Sequence, residues 1–187
     1  MNNGPDGGFV FESGLGRCAQ IEAEVSEDQI DTFAWEKYPQ PFWNEPNSVA
    51  RALRMLSEAQ DEDQAGDAYV ELLQAFGNPR TGTYWPVVLP ATQFLAEILE
   101  GPEEWARAAA LDVLIELASA LVPEPGFGTF RSAAGVEIDV SKDLARRIRN
   151  LMSTVERIAS SPESARRERD RADELIFCVS GSAGPTG

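Results

Sequence analysis

Histidine is absent from this chain of 187 residues. That absence removes the commonest general base, the commonest zinc ligand and the side chain that titrates nearest neutral pH. Ser-His-Asp and Cys-His catalytic arrangements and His-bearing metal sites are excluded with it. Cysteine is scarce: Cys18 and Cys178 stand at opposite ends, neither in a CxxC unit, so zinc-ribbon and thioredoxin-like readings have no support. Two lone thiols fit a reducing cytoplasm, and a bridge between the termini is not readable from sequence. Positive charge is also in short supply, with 16 Lys+Arg against 31 Asp+Glu and a net charge of −15. Nucleic acids and anionic membranes are therefore poor partners, because both select basic faces. No run approaches the ~20 apolar residues of a membrane-spanning helix, and the start Met1-Asn2-Asn3-Gly4-Pro5-Asp6 has no secretory pattern. A soluble cytoplasmic protein is expected, of a length that suits one compact domain.

Hydrophobic residues make up 43% and charged residues 25% of the chain, an ordinary globular balance. Residues 1–45 read as a partly irregular N-terminal arm. Its acids Glu22, Glu24, Glu27, Asp28, Asp31 and Glu36 run into Phe33, Trp35, Tyr38, Phe42 and Trp43, interrupted by Pro39 and Pro41. Prolines at that density stop regular helix, and aromatics at that density need a surface to cover.

From residue 46 to 179 the apolar period is helical. Stripes run through Val49, Leu53 and Leu56; through Tyr69, Leu72, Leu73 and Phe76; through Val88, Leu95, Ile98 and Leu99; through Leu111, Leu114, Ile115 and Leu121; through Leu144 to Ala159 as one helix; and through Leu175, Ile176 and Val179. Short turns join them into three pairs, about 46–77, 85–122 and 140–179. Neither helix of a pair can bury its stripe against one partner alone, so the expected fold is all-α, an α-solenoid-like stack of about three helical hairpins. A compact orthogonal bundle is the alternative. Residues 123–139, with three glycines and Val136-Glu137-Ile138-Asp139-Val140, read as a hairpin insertion, and 180–187 as a flexible tail. Pro86 and Pro90 fall at the start of the third helix, where a kink at Pro90 is expected.

Charge is uneven along the chain. Residues 1–139 carry 24 acids and 7 bases, a balance of −17, and residues 140–187 carry 7 acids and 9 bases, a balance of +2. The late arginines Arg166, Arg167, Arg169 and Arg171 interleave with Glu163, Glu168, Asp170, Asp173 and Glu174, which reads as an exposed, salt-bridged face. Candidate clusters for carboxylate chemistry are Glu58–Asp63, Glu103-Glu104 and Glu137/Asp139. Helix starts account for the first two, where acids complement the dipole. A calcium loop from Asp61 fails because Leu72 occupies its twelfth position. No P-loop, GxGxxG or GxSxG occurs, so no cofactor is expected.

The stretch Gly77-Asn78-Pro79-Arg80-Thr81-Gly82-Thr83-Tyr84-Trp85-Pro86-Val87-Val88-Leu89-Pro90-Ala91-Thr92, followed by the Ala- and Leu-rich helix Trp105–Leu117, resembles a segment of bacterial HEAT-repeat-like proteins. The resemblance covers about 47–122. It implies a HEAT-like stack and a role like that of immunity proteins, which neutralise secreted bacterial toxins. Relatives tend to carry a histidine after Gly-Asn where this chain has Pro79-Arg80-Thr81, so nothing resting on that histidine transfers.

The expected function is non-catalytic capture of a basic protein partner, a toxin domain, by an acidic surface whose field speeds encounter while buried aromatics hold the complex. Candidate partner-binding residues are Glu27, Asp28, Asp31, Trp35, Glu36, Asp61, Glu62, Asp63, Asp67, Arg80 and Tyr84. The competing readings are a HEAT-like adaptor for another cellular protein and a carboxylate-based metal-dependent hydrolase.

Overall fold

The computed structural model describes residues 27–181. Cys18, Glu22, Glu24, residues 182–187 and the side chains of Glu27 and Asp28 lie outside the described residues. The fold is mostly helical: α1 Glu27–Thr32, α2 Ser48–Ser57, α3 Glu62–Phe76, α4 Val88–Glu100, α5 Glu104–Ser119, α6 Val140–Asn150, α7 Met152–Ser160 and α8 Arg166–Gly181, with a 3-10 turn at Trp35–Lys37. Short strands fill the gaps: β1 Gly77–Asn78, β2 Thr83–Tyr84, β3 Val122–Pro123, β4 Thr129–Arg131 and β5 Glu137–Asp139.

Each helix pair begins and ends for a local reason. Asp61 caps α3, its carboxylate accepting the backbone N–H of Gln64 at 2.8 Å while the Gln64 amide donates back to it at 3.0 Å. Asp139 caps α6 in the same way through Lys142 N–H at 3.0 Å. The acids Glu62, Asp63 and Glu104 occupy first turns, as the dipole argument expects. α4 begins at Val88, two residues after Pro86, so Pro90 falls in its first turn, where a missing N–H leaves no intrahelical bond unmade. The kink expected at Pro90 thus has no preceding helix to bend.

The expected single helix over 144–159 is two. The Leu151 N–H bonds to the Ile148 carbonyl three residues back, at 3.0 Å, and the chain resumes as α7. The apolar stripe is continuous across the junction, with Leu144, Ile148, Val155 and Ile158 all buried, and both halves pack on α4. Ser180 and Gly181, expected in a tail, extend α8.

Contacts between elements follow a simple order. α2 packs on α3 and α4; α3 on α5; α4 on α5, α6 and α7; α5 on α8; and α7 on α8. Phe76, Phe94, Leu111 and Leu114 lie at the centre, essentially without solvent access. Each such side chain contributes about 1.5–3 kcal/mol by leaving water.

The helix ends are knitted together by a small sheet of order β1-β2-β3. Gly77 pairs antiparallel with Tyr84, and Tyr84 pairs parallel with Pro123. A Cβ at residue 77 would meet the Thr83 carbonyl oxygen at 2.1 Å, so only glycine admits this approach. The turn between β1 and β2 closes through Thr81 N–H to the Asn78 carbonyl and then through Gly82 at φ 69°, a left-handed conformation natural to glycine. The expected hairpin insertion is present as β4 and β5, antiparallel, with Phe130 opposite Ile138.

Candidate functional site

The predicted partner-binding residues separate into three environments. Trp35 and Tyr84 are core residues, each 3% exposed, and this corrects their placement on a partner face. The Trp35 ring packs 5.3 Å from Phe94 and its indole N–H donates to the Ile30 carbonyl at 2.9 Å. Tyr84 lies beside a cavity of about 210 Å3 under Leu117, Leu144 and Ile148. Burial raises its phenol pKa, although a hydrogen bond with Ser141 acts the other way. Large aromatic surfaces are covered wherever the fold can reach them.

Two of the acids form ion pairs within the chain, and Asp61 is engaged as the α3 cap. Asp31 pairs with Arg54 at 3.3 Å, linking α1 to α2, and Glu62 pairs with Arg167 at 2.8 Å, linking α3 to α8. Glu36, Asp61, Asp63, Asp67 and Arg80 are exposed and make no ion pair among the described residues. Asp63 and Asp67 lie four residues apart on the solvent side of α3, in line with exposed Val70 and Gln74.

That line leads into a groove of about 620 Å3, walled by α3, by the end of α5 and by the β1–β2 turn. Tyr69 and Val70 come from α3, Glu116 from α5, Leu121 from the segment after it, Arg80 from the turn, and Trp43 from the chain ahead of α2. Trp43 is held in place: its indole N–H donates to the Gln74 carbonyl at 3.2 Å, and Asn44 beside it donates to the Ala75 carbonyl at 2.8 Å. Trp43 nevertheless remains 45% exposed, and Phe42, edge-on to it at 4.8 Å, is 88% exposed. Burial, followed by the neighbouring Glu116 carboxylate and a hydrogen bond to it, pushes the Tyr69 phenol up to about 12. Tyr69 therefore stays a neutral O–H beside the Glu116 carboxylate.

Where α8 packs along α5, away from the groove, charges meet in pairs. Asp112 binds Arg171 at 2.8 Å. Burial raises the Asp112 pKa against the pull of that guanidinium. Arg167 lies 4.1 Å over the Trp105 ring. Glu168 is wholly buried, its carboxylate taking Arg107 Nε at 2.5 Å and the Ala165 N–H at 2.7 Å, while Arg107 also donates to the Gly101 carbonyl at 2.6 Å. The expected exposed, salt-bridged α8 face is present in part, with Arg166 pairing with Asp170 at 3.6 Å and Arg171 with Glu174 at 2.8 Å, but the burial of Glu168 departs from it. Several charges of α8 reach across to α3 and α5, because α8 packs along α5.

Sequence reasoning did not find Tyr69, Glu116 or Trp43 as a group. One signal was available: Asp112 and Glu116 are the only polar residues between Ala108 and Leu117, four apart and thus on one face of an otherwise apolar helix. Among the described residues, no three His, Cys, Asp or Glu side chains form a group able to hold a metal ion, and the clusters at Glu58–Asp63, Glu103-Glu104 and Glu137/Asp139 do not converge into one. No helix in the described residues is long and apolar enough to cross a membrane. Comparison with protein-family models, with curated proteins and with solved structures finds no match.

Proposed function

We propose that this protein is a non-catalytic immunity protein, which binds and blocks a basic toxin domain in the cytoplasm. The observation that carries the reading is an unneutralised acidic and aromatic surface on a packed helical frame: Asp63 and Asp67 lead along α3 to a groove with Trp43 and Phe42 exposed at its edge. A net charge of −15 attracts a cationic domain over a distance set by ionic screening, ~8–10 Å at physiological salt. Fixed aromatics then supply desolvated contact area, which decides residence time more than the field does. Toxins that act on anionic substrates present cationic clefts, so an acidic face competes for the same contacts as substrate.

The order of helix contacts supports reading α2–α3, α4–α5 and α6/α7–α8 as three stacked hairpins of a HEAT-like α-solenoid, with the groove on the layer formed by α3, α5 and α8. Co-expression with the product of the adjacent gene tests the function. Rescue of growth, a complex recovered by pull-down and affinity falling steeply with added salt are expected. Absence of rescue, or turnover of a small molecule by the purified protein, overturns the reading; a salt-insensitive complex with a neutral cellular protein would favour the adaptor.

A further inference from the structure

Glu116 holds an unusual position on the α5 face. Its neighbour Asp112, one turn earlier, is matched by Arg171, yet no ion pair reaches Glu116, even though Arg80 lines the same groove. Tyr69 sets a neutral phenol beside it, which leaves the charge of the carboxylate in place. The same groove is lined by an indole whose N–H is already used on the Gln74 carbonyl, so what Trp43 has left to offer is its ring. Val70 and Leu121 add apolar wall to the same groove. An anion, a π-face and an apolar wall within one cleft match a flat cation on an aliphatic stem.

We propose that the groove is a socket for a single arginine side chain of the protein partner, its guanidinium held between the Trp43 ring and the Glu116 carboxylate and its methylenes against Val70 and Leu121. This rests on the reading of the protein as a binder of basic domains and names the contact that gives it specificity. Guanidinium suits the socket better than ammonium, because it is planar, less strongly hydrated, and can stack and donate at once. Arg80, with no internal acid to satisfy, is left to donate to main-chain carbonyls of the segment that carries the arginine.

A test needs no toxin. The peptide acetyl-Gly-Arg-Gly-amide and its citrulline counterpart, a neutral isostere, are titrated into the intact protein and followed by 1H–15N NMR. Saturable shifts of the Trp43 indole N–H and of the amides of Tyr69, Val70 and Glu116 are expected with the arginine peptide, with affinity about tenfold or more weaker for citrulline, as loss of a charge-assisted bond predicts. Glu116→Gln weakens the arginine peptide by a similar factor, whereas Asp173→Asn, an equal change of charge on α8 outside the groove, changes it by less than about twofold. Equal affinity for the two peptides, or shifts that do not saturate or map away from the groove, overturns the proposal. The citrulline comparison uses unaltered protein, so it decides the matter even if a variant folds poorly. Growth rescue is scored separately with unaltered protein, so the socket can fail while the immunity reading stands.

Discussion

The seam between α5 and α8 and the groove between α3 and α5 both draw on side chains of α5, and they treat charge in opposite ways. At the seam, Glu168 meets Arg107, Asp112 meets Arg171, and Arg167 reaches both Glu62 and the Trp105 ring. At the groove, Glu116 has a phenol for company and Arg80 has no acid. Matched charges between packed helices hold those helices together; an unmatched carboxylate beside an exposed aromatic contributes little to folding and remains open to a partner. The first region is built for the protein's own stability, the second for something that arrives.

Breaking the seam should have the largest effect. Glu168→Ala strands the Arg107 guanidinium in a site built around it and removes the acceptor for the Ala165 N–H at the start of α8, so a loss of ~3–5 kcal/mol is expected, measured by urea denaturation. Replacing both Arg107 and Glu168 by apolar residues of similar volume should recover most of that loss; failure to do so would show that the backbone bonds to Gly101 and Ala165 matter more than the ion pair. A smaller change follows at a helix start: Asp61→Ala removes the α3 cap and costs ~1 kcal/mol, read as a shift in thermal midpoint.

In the groove, Trp43→Ala and Glu116→Gln should each change stability less than Glu168→Ala does, with Glu116→Gln within about 0.5 kcal/mol, while both weaken partner binding. A large loss of stability in the Glu116 variant would erase the contrast between the two regions. The smallest effect near neutral pH belongs to Tyr69. Its folded pKa, about 12, lies above the ordinary 10.0, so the stabilisation it provides is complete below pH 10 and is lost as pH climbs through about 12. Ultraviolet titration should show a phenol ionising late, and Tyr69→Phe should remove that late step and flatten the alkaline fall in stability.

Much of the frame was legible in the residues. The stripes Val49–Leu56, Leu72–Phe76 and Leu111–Ile115 mark buried faces because 3.6-residue periodicity is a direct consequence of one-sided burial, while Tyr69 and Leu121, at the ends of two of them, are only partly buried. Asp61 and the stop at Gly77 set the limits of α3 within a residue. The breaks that failed have physical reasons. The α6–α7 junction lies inside an unbroken apolar stripe, so periodicity has no mark to show there. Strands of two residues are too short for alternation, and β1-β2-β3 exists only because tertiary packing brings three helix ends together.

The site was less legible than the fold. Trp35 and Trp43, eight residues apart in the same aromatic cluster, have opposite fates: one packs on Phe94 and the other is pinned by its indole N–H at the edge of a cleft. Composition treats them alike; only the path of the chain across the ends of α3 and α4 separates them. Glu168 was hidden for a related reason. A glutamate interleaved with arginines reads as part of an exposed, salt-bridged face, and its complete burial depends on Arg107, sixty-one residues earlier.

The miniature sheet has one more consequence. Because Gly77 allows backbone to lie on backbone, and because Tyr84 bonds to both neighbouring strands, the exits of α3 and α5 and the entry to α4 move as one body. Arg80 and Leu121, carried on chain segments forty-one residues apart, therefore sit in fixed register around the cleft before any guest appears. Little backbone freedom is left to lose on docking, so affinity there should depend on side-chain fit, with a small entropic penalty and without slow loop closure.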